Sequence, residues 1–207
     1  MTIVCISDTH MRHNIEIPEG DVLIHAGDFS ISRDSSVDLL EFAKWFQALP
    51  YKHKILVPGN HDWCFQNNEN WSRAQLPTVN VLINEEVIIE GLKFYGTPYQ
   101  PIFCDWAFNL PPTQLKVEMD KIPLDTNILI THAPPYGILD KVSRQNAGSV
   151  GCRILSKKVA VIRPKLHIFG HIHSGYGQYH RLKTRFINAS LCDDSYKTVN
   201  KPIVVEV

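Results

Sequence analysis

The chain lacks an excess of charge of either sign: its 207 residues include 21 Lys and Arg residues and 21 Asp and Glu residues. This balance argues against the broad basic surface of a dedicated binder of nucleic acid or membranes, so any site for a polyanion must be local. The chain also lacks an apolar run near the roughly 18 residues of a membrane-spanning helix. We therefore expect no membrane partner. Long nucleic acid is a disfavoured substrate, although the charge does not exclude it.

Paired cysteines are also missing, because the five cysteines are odd in number, widely scattered and form no C-x-x-C pair. This pattern argues against a disulfide framework and a structural zinc site. The N-terminus has no basic region or cleavage site before Asp8 and His10, so we expect a cytoplasmic protein. No linker or internal repeat divides the chain, and its composition is typical of globular proteins, which predicts a single domain over residues 1–207.

Short apolar runs alternate with helical patterns along the chain. Five β-branched runs predict buried strands of a central sheet at residues 3–6, 22–24, 55–57, 128–130 and 166–169. Helices are predicted over residues 36–49, 113–121 and 150–162. Shorter runs between tight turns predict a second, more antiparallel sheet from residues 81–83, 87–90, 93–96, 178–180, 185–187 and 203–205. We expect an α/β sandwich of two sheets with helices outside.

Metal-capable or proton-handling side chains follow all five apolar strands. They are Asp8, His10, Asp28, Asn60, His61, His132, His171 and His173. Ligands of α/β sheets bind beyond the carboxyl ends of the strands, so these side chains are expected to converge. Residues two apart in extended chain project to the same side and can reach one ion or two neighbouring ions. The spacing is consistent with two ions about 3.5–4 Å apart. They would share Asp28, with Asp8, His10 and His173 on the first ion and Asn60, His132 and His171 on the second.

The expected ligands are imidazole, carboxylate and carboxamide groups without a thiolate. Such donors suit Mn, Fe, Co, Ni or Zn better than Ca or a structural zinc, and we take Mn as the working choice. Two divalent ions carry about +4 against two carboxylates, so the centre should attract an anion. A paired site of this kind can lower the pKa of a bound water to about 7 and stabilise an in-line displacement at phosphorus.

These residues form the motifs D-x-H, G-D, G-N-H-D, H and G-H-x-H at residues 8–10, 27–28, 59–62, 132 and 170–173. With these motifs in this order, the chain resembles calcineurin-like metallophosphoesterases. Residues 5–10, 108–111, 150–152, 163–167 and 187–190 further resemble the MPPED group of metallophosphodiesterases. The resemblance implies a four-layer α/β/β/α sandwich of two mixed sheets flanked by helices, a two-metal centre and phosphoester hydrolysis.

The resemblance also implies a catalytic role for His61, as the group that protonates the leaving group or stabilises the transition-state oxyanion. Asp62 would orient His61, serve the turn or simply be solvated. The expected reaction is attack of metal-bound hydroxide on a small phosphodiester such as a cyclic nucleotide. A phosphomonoesterase or a nuclease with the same centre is the alternative. A non-catalytic phosphate-binding or scaffold protein is the rival from another class.

Several further residues have both a functional and a structural interpretation. Arg12 and His13 follow the first ligand pair and are candidate substrate contacts. Arg33 is displaced by one residue from the phosphate-binding arginine of Ser/Thr phosphoprotein phosphatases, which disfavours that activity. Trp106 and its aromatic neighbours could stack a base, although packing is the more common role. The remaining candidates, for which a structural or solvated role is favoured, are His25, His167, Lys157, Lys158, Arg163 and Lys165.

Overall fold

The computed structural model describes residues 1–142 and 148–207 and arranges them in sheets covered by helices. The strands are β1 Thr2–Ile6, β2 Val22–His25, β3 His53–Leu56, β4 Asn80–Val81, β5 Glu85–Ile89, β6 Leu92–Thr97, β7 Gln100–Pro101, β8 Asn109–Leu110, β9 Ile128–Thr131, β10 Leu166–Phe169, β11 Gly177–Arg181, β12 Thr184–Asn188 and β13 Ile203–Glu206. The helices are α1 Ser36–Ala48, α2 Trp63–Asn67, α3 Glu69–Ala74, α4 Pro112–Asp120 and α5 Arg153–Ile162, with a 3₁₀ turn at His173–Gly175.

Two mixed sheets form the centre of the fold. The first has the strand order β13-β1-β2-β3-β4, in which β1 to β4 are parallel and β13 is antiparallel to β1. The second has the order β11-β12-β10-β9-β6-β5, with four parallel strands inside and an antiparallel strand at each edge. Strands β7 and β8 form a small separate pair.

The layers follow from which apolar faces pack together. One core lies between the sheets, where Ile24 of β2 belongs to the same buried cluster as Ile130 of β9. A second core joins the outer face of the first sheet to α1 through residues such as Phe42. A third joins the outer face of the second sheet to α4 and α5 through residues such as Leu155 and Phe169. The resulting order is helix, sheet, sheet, helix, which confirms the expected α/β/β/α sandwich.

The assignment of strands to sheets differs from the sequence-based expectation. The five apolar strands do not share one sheet, because β1, β2 and β3 lie in the first sheet while β9 and β10 lie in the second. The second sheet is also mainly parallel, and its antiparallel pairing is confined to the hairpins β5–β6 and β11–β12. Central strands of both sheets are buried on both faces, so they have the same apolar pattern and cannot be assigned to a sheet from sequence.

Helix positions agree closely with the predictions for α1 and α4, whereas α5 begins three residues later than expected. Cys152 caps α5, since its Sγ accepts a hydrogen bond from the amide of Leu155 at 3.3 Å. The short helices α2 and α3 were not predicted, because five or six residues show too little periodicity to be recognised.

The carboxyl ends of the parallel strands of both sheets meet at one edge. A bridge between Ser7 and Ser190 joins the sheets there, and the amide of Leu191 donates to the carbonyl of Ser7 at 2.9 Å. The loops that follow β1, β2, β3, β9 and β10 therefore surround a common volume.

Candidate metal centre

The loops at this edge turn sharply enough to direct carboxylates and imidazoles inward. Asp8, His10, Asp28 and His171 all have positive φ, between 41° and 67°, which is costly for a residue other than glycine. Hydrogen bonds hold the turns, including one from the amide of Asp8 to the carbonyl of Gly27 at 2.9 Å. The strained conformations are therefore fixed by the surrounding backbone.

Asp8, His10 and His173 form the first donor group. Their ligand atoms lie within 4.8 Å of one another. The Nδ1 atoms of His10 and His173 face the carbonyls of Ser30 and Asp193, both at 2.9 Å, which assigns the ring proton to Nδ1. The Nε2 lone pairs of the two rings then face each other across 3.2 Å. Opposed lone pairs repel unless a proton or a metal ion lies between them, and together with the Asp8 carboxylate the two rings form a donor group that fits a divalent metal ion.

Asp28, Asn60, His132 and His171 form the second group. Nδ1 of His132 faces the carbonyl of Ala26 at 2.8 Å, so its Nε2 presents a lone pair to Asn60 Oδ1 at 3.0 Å and Asp28 Oδ2 at 3.2 Å. His171 lies with Asp28 and His132 in a cluster whose donor atoms are within 4.8 Å. Three acceptors facing one another again fit a cation. The structure thus brings all seven predicted ligands together, and the sharing of Asp28 between two ions stays a prediction.

The electrostatics of the centre favour positive charge. Burial alone would raise the pKa of Asp8 and Asp28, but the neighbouring histidines hold both well below the usual range. Burial alone would lower the pKa of His132 and His173, but the facing carboxylates raise both to about 9. Two buried carboxylates therefore create a negative field that bound cations would neutralise.

Glycines let the backbone approach these carboxylates. A Cβ at Gly59 would lie 2.2 Å from Oδ1 of Asp28, and a Cβ at Gly170 would lie 2.1 Å from Oδ2 of Asp8. Both distances are far below van der Waals contact. No larger residue fits at either position without displacing a ligand, which explains the G-N-H and G-H-x-H motifs.

His61 lies beside the bridging carboxylate. Its amide donates to Oδ1 of Asp28 at 2.8 Å, while its Nε2 is 4.0 Å from Oδ2 of the same residue. The imidazole is almost fully buried and packs on the indole of Trp106 with a 4.1 Å centroid separation. This placement suits proton transfer at the centre. His61, His10 and Asp28 also form a third group with donor atoms within 4.8 Å, so a ligand role for His61 needs an experimental test.

Asp62 connects two loops of the centre. Its carboxylate accepts hydrogen bonds from the amides of Gly59 at 2.7 Å, Asp28 at 2.9 Å and Ser30 at 3.1 Å. Burial, and then the charge of Asp28, raise its pKa, while the donated hydrogen bonds oppose this effect. Nδ1 of His61 has no hydrogen-bond partner among the described residues. The turn role of Asp62 is therefore the one that these contacts support.

Ser190 and Asn188 support the first donor group and were noted in the sequence only as part of a family-like segment. Oγ of Ser190 donates to Oδ2 of Asp8 at 2.8 Å, which fixes the carboxylate plane. The amide of Ser190 donates to Oδ1 of Asn188 at 3.1 Å, and Nδ2 of Asn188 donates to the carbonyl of Ile172 at 2.8 Å. These contacts tie the end of β12 to the G-H-x-H loop.

Tyr196 borders the centre and was not identified from the sequence. Its ring meets that of His10 edge-on at 4.6 Å and that of His173 at 5.8 Å. The side chain of Asp193 organises its turn by accepting from the amide of Lys197 at 3.0 Å. Tyr196 lies in a turn with a positive φ, which leaves no recognisable pattern in the sequence, so its position could not be predicted.

The two candidate substrate contacts have different placements. Arg12 is exposed at the mouth, and its Nε donates to the carbonyl of Tyr196 at 3.3 Å, so substrate contact stays a prediction. The ring of His13 instead stacks on Trp45 of α1 at 4.6 Å and 10°. This packing does not support a substrate contact for His13, because its ring face is occupied by the helix.

Arg33 does not replace a phosphate-binding arginine. Its guanidinium donates to the carboxylate of Asp105 at 2.9 Å and lies over the ring of Trp63 at 5.3 Å. Through these contacts the Arg33 side chain holds the loop that follows β7.

His25 and His167 belong to the core. Their Nε2 atoms contact the hydroxyls of Thr9 and Thr131, each at 3.0 Å. Burial lowers the pKa of both to about 3, so both are neutral near pH 7. Their exclusion from the ligand set agrees with this placement.

Comparisons with known proteins agree with the fold and the site. A model of the calcineurin-like phosphoesterase family matches residues 1–175. The chain therefore belongs to the calcineurin-like phosphoesterases and is a metallophosphoesterase by family.

Among curated proteins, the chain is similar to metallophosphoesterase domain-containing protein 1 of Homo sapiens, at 39% identity over 231 residues that cover 99% of this chain and 70% of that protein. It is also similar to a UPF0046 protein of Caenorhabditis elegans, at 37% identity over 219 residues that cover 99% of this chain and 74% of that protein. A solved crystal structure shares the fold with a TM-score of 0.68 at 15% identity, covering 90% of this chain and 89% of the other. No described helix is long and apolar enough to cross a membrane.

Proposed function

We propose that this metallophosphoesterase is a phosphodiesterase that uses two divalent metal ions, with Mn as the first choice, to hydrolyse small phosphodiesters such as cyclic nucleotides. The observation that carries the proposal is the pair of neighbouring donor groups, because His10 of the first and Asp28 of the second cluster with His61 and their donor atoms lie within 4.8 Å of one another. Two ions held by these donors would lower the pKa of water and withdraw charge from a phosphate.

The chain's own residues supply positioning and proton transfer. Asp8 and Asp28 orient the histidines, and backbone carbonyls behind the rings fix which nitrogen faces the centre. Nε2 of His61 is the atom that would hold the proton for the departing alcohol oxygen. Packing of Trp106 against the imidazole restricts its rotation and keeps this nitrogen near Asp28.

Aromatic side chains at the mouth support an ester with a planar substituent. Phe103 is 57% exposed, and its ring lies 6.2 Å from that of His171. Tyr196 stands on the other donor group, edge-on to His10. A flat group attached to the phosphate could contact either ring, which favours nucleotide or aryl esters over purely aliphatic ones.

The test compares diester and monoester hydrolysis by the metal-free and Mn-loaded protein. An aryl phosphodiester and the matching monoester are assayed in parallel, with a chelator-treated sample as the control. Metal-dependent diester hydrolysis supports the proposal. Hydrolysis of the monoester alone would instead indicate a phosphatase, and silence on both esters by protein that holds two ions would favour a binding role.

A further inference from the structure

The zero net charge of the chain conceals a strong asymmetry along the sequence. Residues 141–192 contain ten Lys and Arg residues and no Asp or Glu. The rest of the chain contains 11 Lys and Arg residues against 21 Asp and Glu residues. A segment this long without a carboxylate concentrates positive charge in one region, which an overall count cannot show.

The fold places several of these charges together on one surface. Arg163 ends α5, and Arg163 and Arg181 line the same cavity of about 160 Å³ between that helix and the β11–β12 hairpin. The amide of Arg185 donates to the carbonyl of Lys165 at 3.0 Å, which brings the start of β10 beside the hairpin. The exposed basic residues of this surface, called the basic face below, are Arg163, Lys165, Arg181 and Lys183.

The basic face lies away from the metal centre and keeps its charge unneutralised. It is at the amino end of β10, whereas the metal ligands follow the carboxyl end. Within residues 1–142 and 148–207, no carboxylate forms an ion pair with any of its four members. The acids that approach this region, Asp120 and Asp125, pair with Lys116 and Lys93 instead.

An exposed leucine stands at the tip of the hairpin between two of these charges. Leu182 is 85% exposed and has a φ of 55° in a two-residue loop that connects paired Arg181 and Thr184. Such loops favour glycine, asparagine or aspartate at positions of positive φ. A leucine there is unfavourable both for the backbone and for its solvent exposure. Residues that violate the usual preferences for backbone conformation and solvent exposure are expected mainly at functional sites.

Two further apolar side chains, on the helix and the strand that flank the tip, are exposed. Val161, on the last turn of α5, is 68% exposed, and Tyr179 on edge strand β11 is also exposed. Aliphatic groups flanked by Lys and Arg, with a tyrosine nearby, match the boundary between lipid headgroups and acyl chains. The side chain that protrudes furthest is Leu182, an aliphatic group that can neither stack on a base nor read its edge, which favours lipid over nucleic acid.

We propose that the basic face docks on an anionic lipid surface, with Leu182 inserted among the acyl chains and Arg181 and Lys183 against the headgroups. Each basic residue near such a surface contributes about a fivefold gain in binding. This inference revises the expectation of no membrane partner, which rested on net charge, and it is independent of the proposed catalytic activity.

The test is co-sedimentation of the full chain with vesicles of phosphatidylcholine alone or mixed with phosphatidylglycerol. We expect binding only to the anionic vesicles, weakened by added salt. The double variant Arg181→Gln, Lys183→Gln should bind about thirtyfold more weakly. Leu182→Asn, which suits the turn and keeps the charge, should bind about tenfold more weakly.

Matched controls separate the basic face from general effects of charge and folding. Lys44→Gln, Lys52→Gln removes the same charge from exposed positions outside residues 141–192 and should bind like the parent chain. Val37→Asn removes an exposed aliphatic side chain from α1, which covers the other sheet, and should also have no effect. Thermal unfolding checks that every variant is folded.

Three results would overturn the proposal. These are equal binding to neutral and anionic vesicles, equal losses in the control and hairpin variants, or retention on single-stranded DNA without vesicle binding. The last result would assign the surface to nucleic acid. None of these outcomes depends on hydrolysis, so failure of the proposed phosphodiesterase activity would leave the test intact.

Discussion

The metal centre and the basic face lie at opposite ends of the strands, and both contain residues in unfavourable backbone conformations. At the metal centre the cost at Asp28 is offset within the chain, because its amide donates to Asp62 at 2.9 Å and its carboxylate accepts from His61. At the basic face Leu182 has the same backbone strain, yet its side chain is left in solvent. The comparison indicates that the metal centre is preorganised for small ions. The basic face, in contrast, can bury Leu182 only by binding an external surface.

The largest expected effect is the loss of the preorganised centre in Asp28→Ala. Removing the shared carboxylate should release both ions and lower diester hydrolysis by at least about a hundredfold. Elemental analysis of the purified protein and initial rates measure the two effects. Asp34→Ala, which removes an exposed acid, is the control. Retention of two ions by Asp28→Ala would contradict the bridging assignment.

His61→Ala tests whether metal binding and proton transfer depend on different residues of the metal centre. Turnover should fall about 10²- to 10⁴-fold because the general acid is lost, while metal content stays unchanged. His180→Ala, on exposed strand β11, controls for the loss of an imidazole. If an ion is lost from the His61 variant, the residue belongs with His10 and Asp28 as a ligand.

Asp62→Asn tests whether the hydrogen bonds accepted by Asp62 offset the backbone strain at the metal centre. The new amide nitrogen would face a backbone N–H donor, so we expect the free energy of unfolding to fall by about 3 kcal/mol. Urea unfolding with a chelator present measures the change without a contribution from bound metal. Asp34→Asn should be neutral. An equally small effect at Asp62 would show that its three amide contacts add little to stability.

The smallest effect is expected at the opposite end. Leu182→Asn should raise the free energy of unfolding by about 0.5 kcal/mol, because asparagine tolerates positive φ better than leucine does. Thermal and urea unfolding both report the change, and Leu124→Asn should leave stability unchanged. A clear loss of stability would mean that Leu182 packs within the isolated chain, and the contrast between the two ends would disappear.

The sequence predicted the chemistry of the site better than the architecture around it. Each ligand directly follows an apolar strand, so the order of motifs was enough to group Asp8 with His10 and His173. The support from Ser190 and the border formed by Tyr196 were not predicted as parts of the site, because both come from loops distant in sequence. His13 was predicted at the mouth from proximity in the chain, but the apolar surface of α1 provides its packing instead.

By itself, the sequence determined the α/β class, the five apolar strands and the principal helices, and it predicted which residues can bind metal, because these depend on local periodicity and donor chemistry. Only the tertiary structure decided which sheet each strand joins, since β2 and β9 have similar apolar patterns and are both buried on two faces. It also decided that Arg163 and Arg181 share one surface, although 17 intervening residues separate them in the chain. Contacts between residues distant in sequence leave no local pattern. The periodicity of a strand or helix and the chemical type of a ligand, in contrast, can be recognised in the sequence.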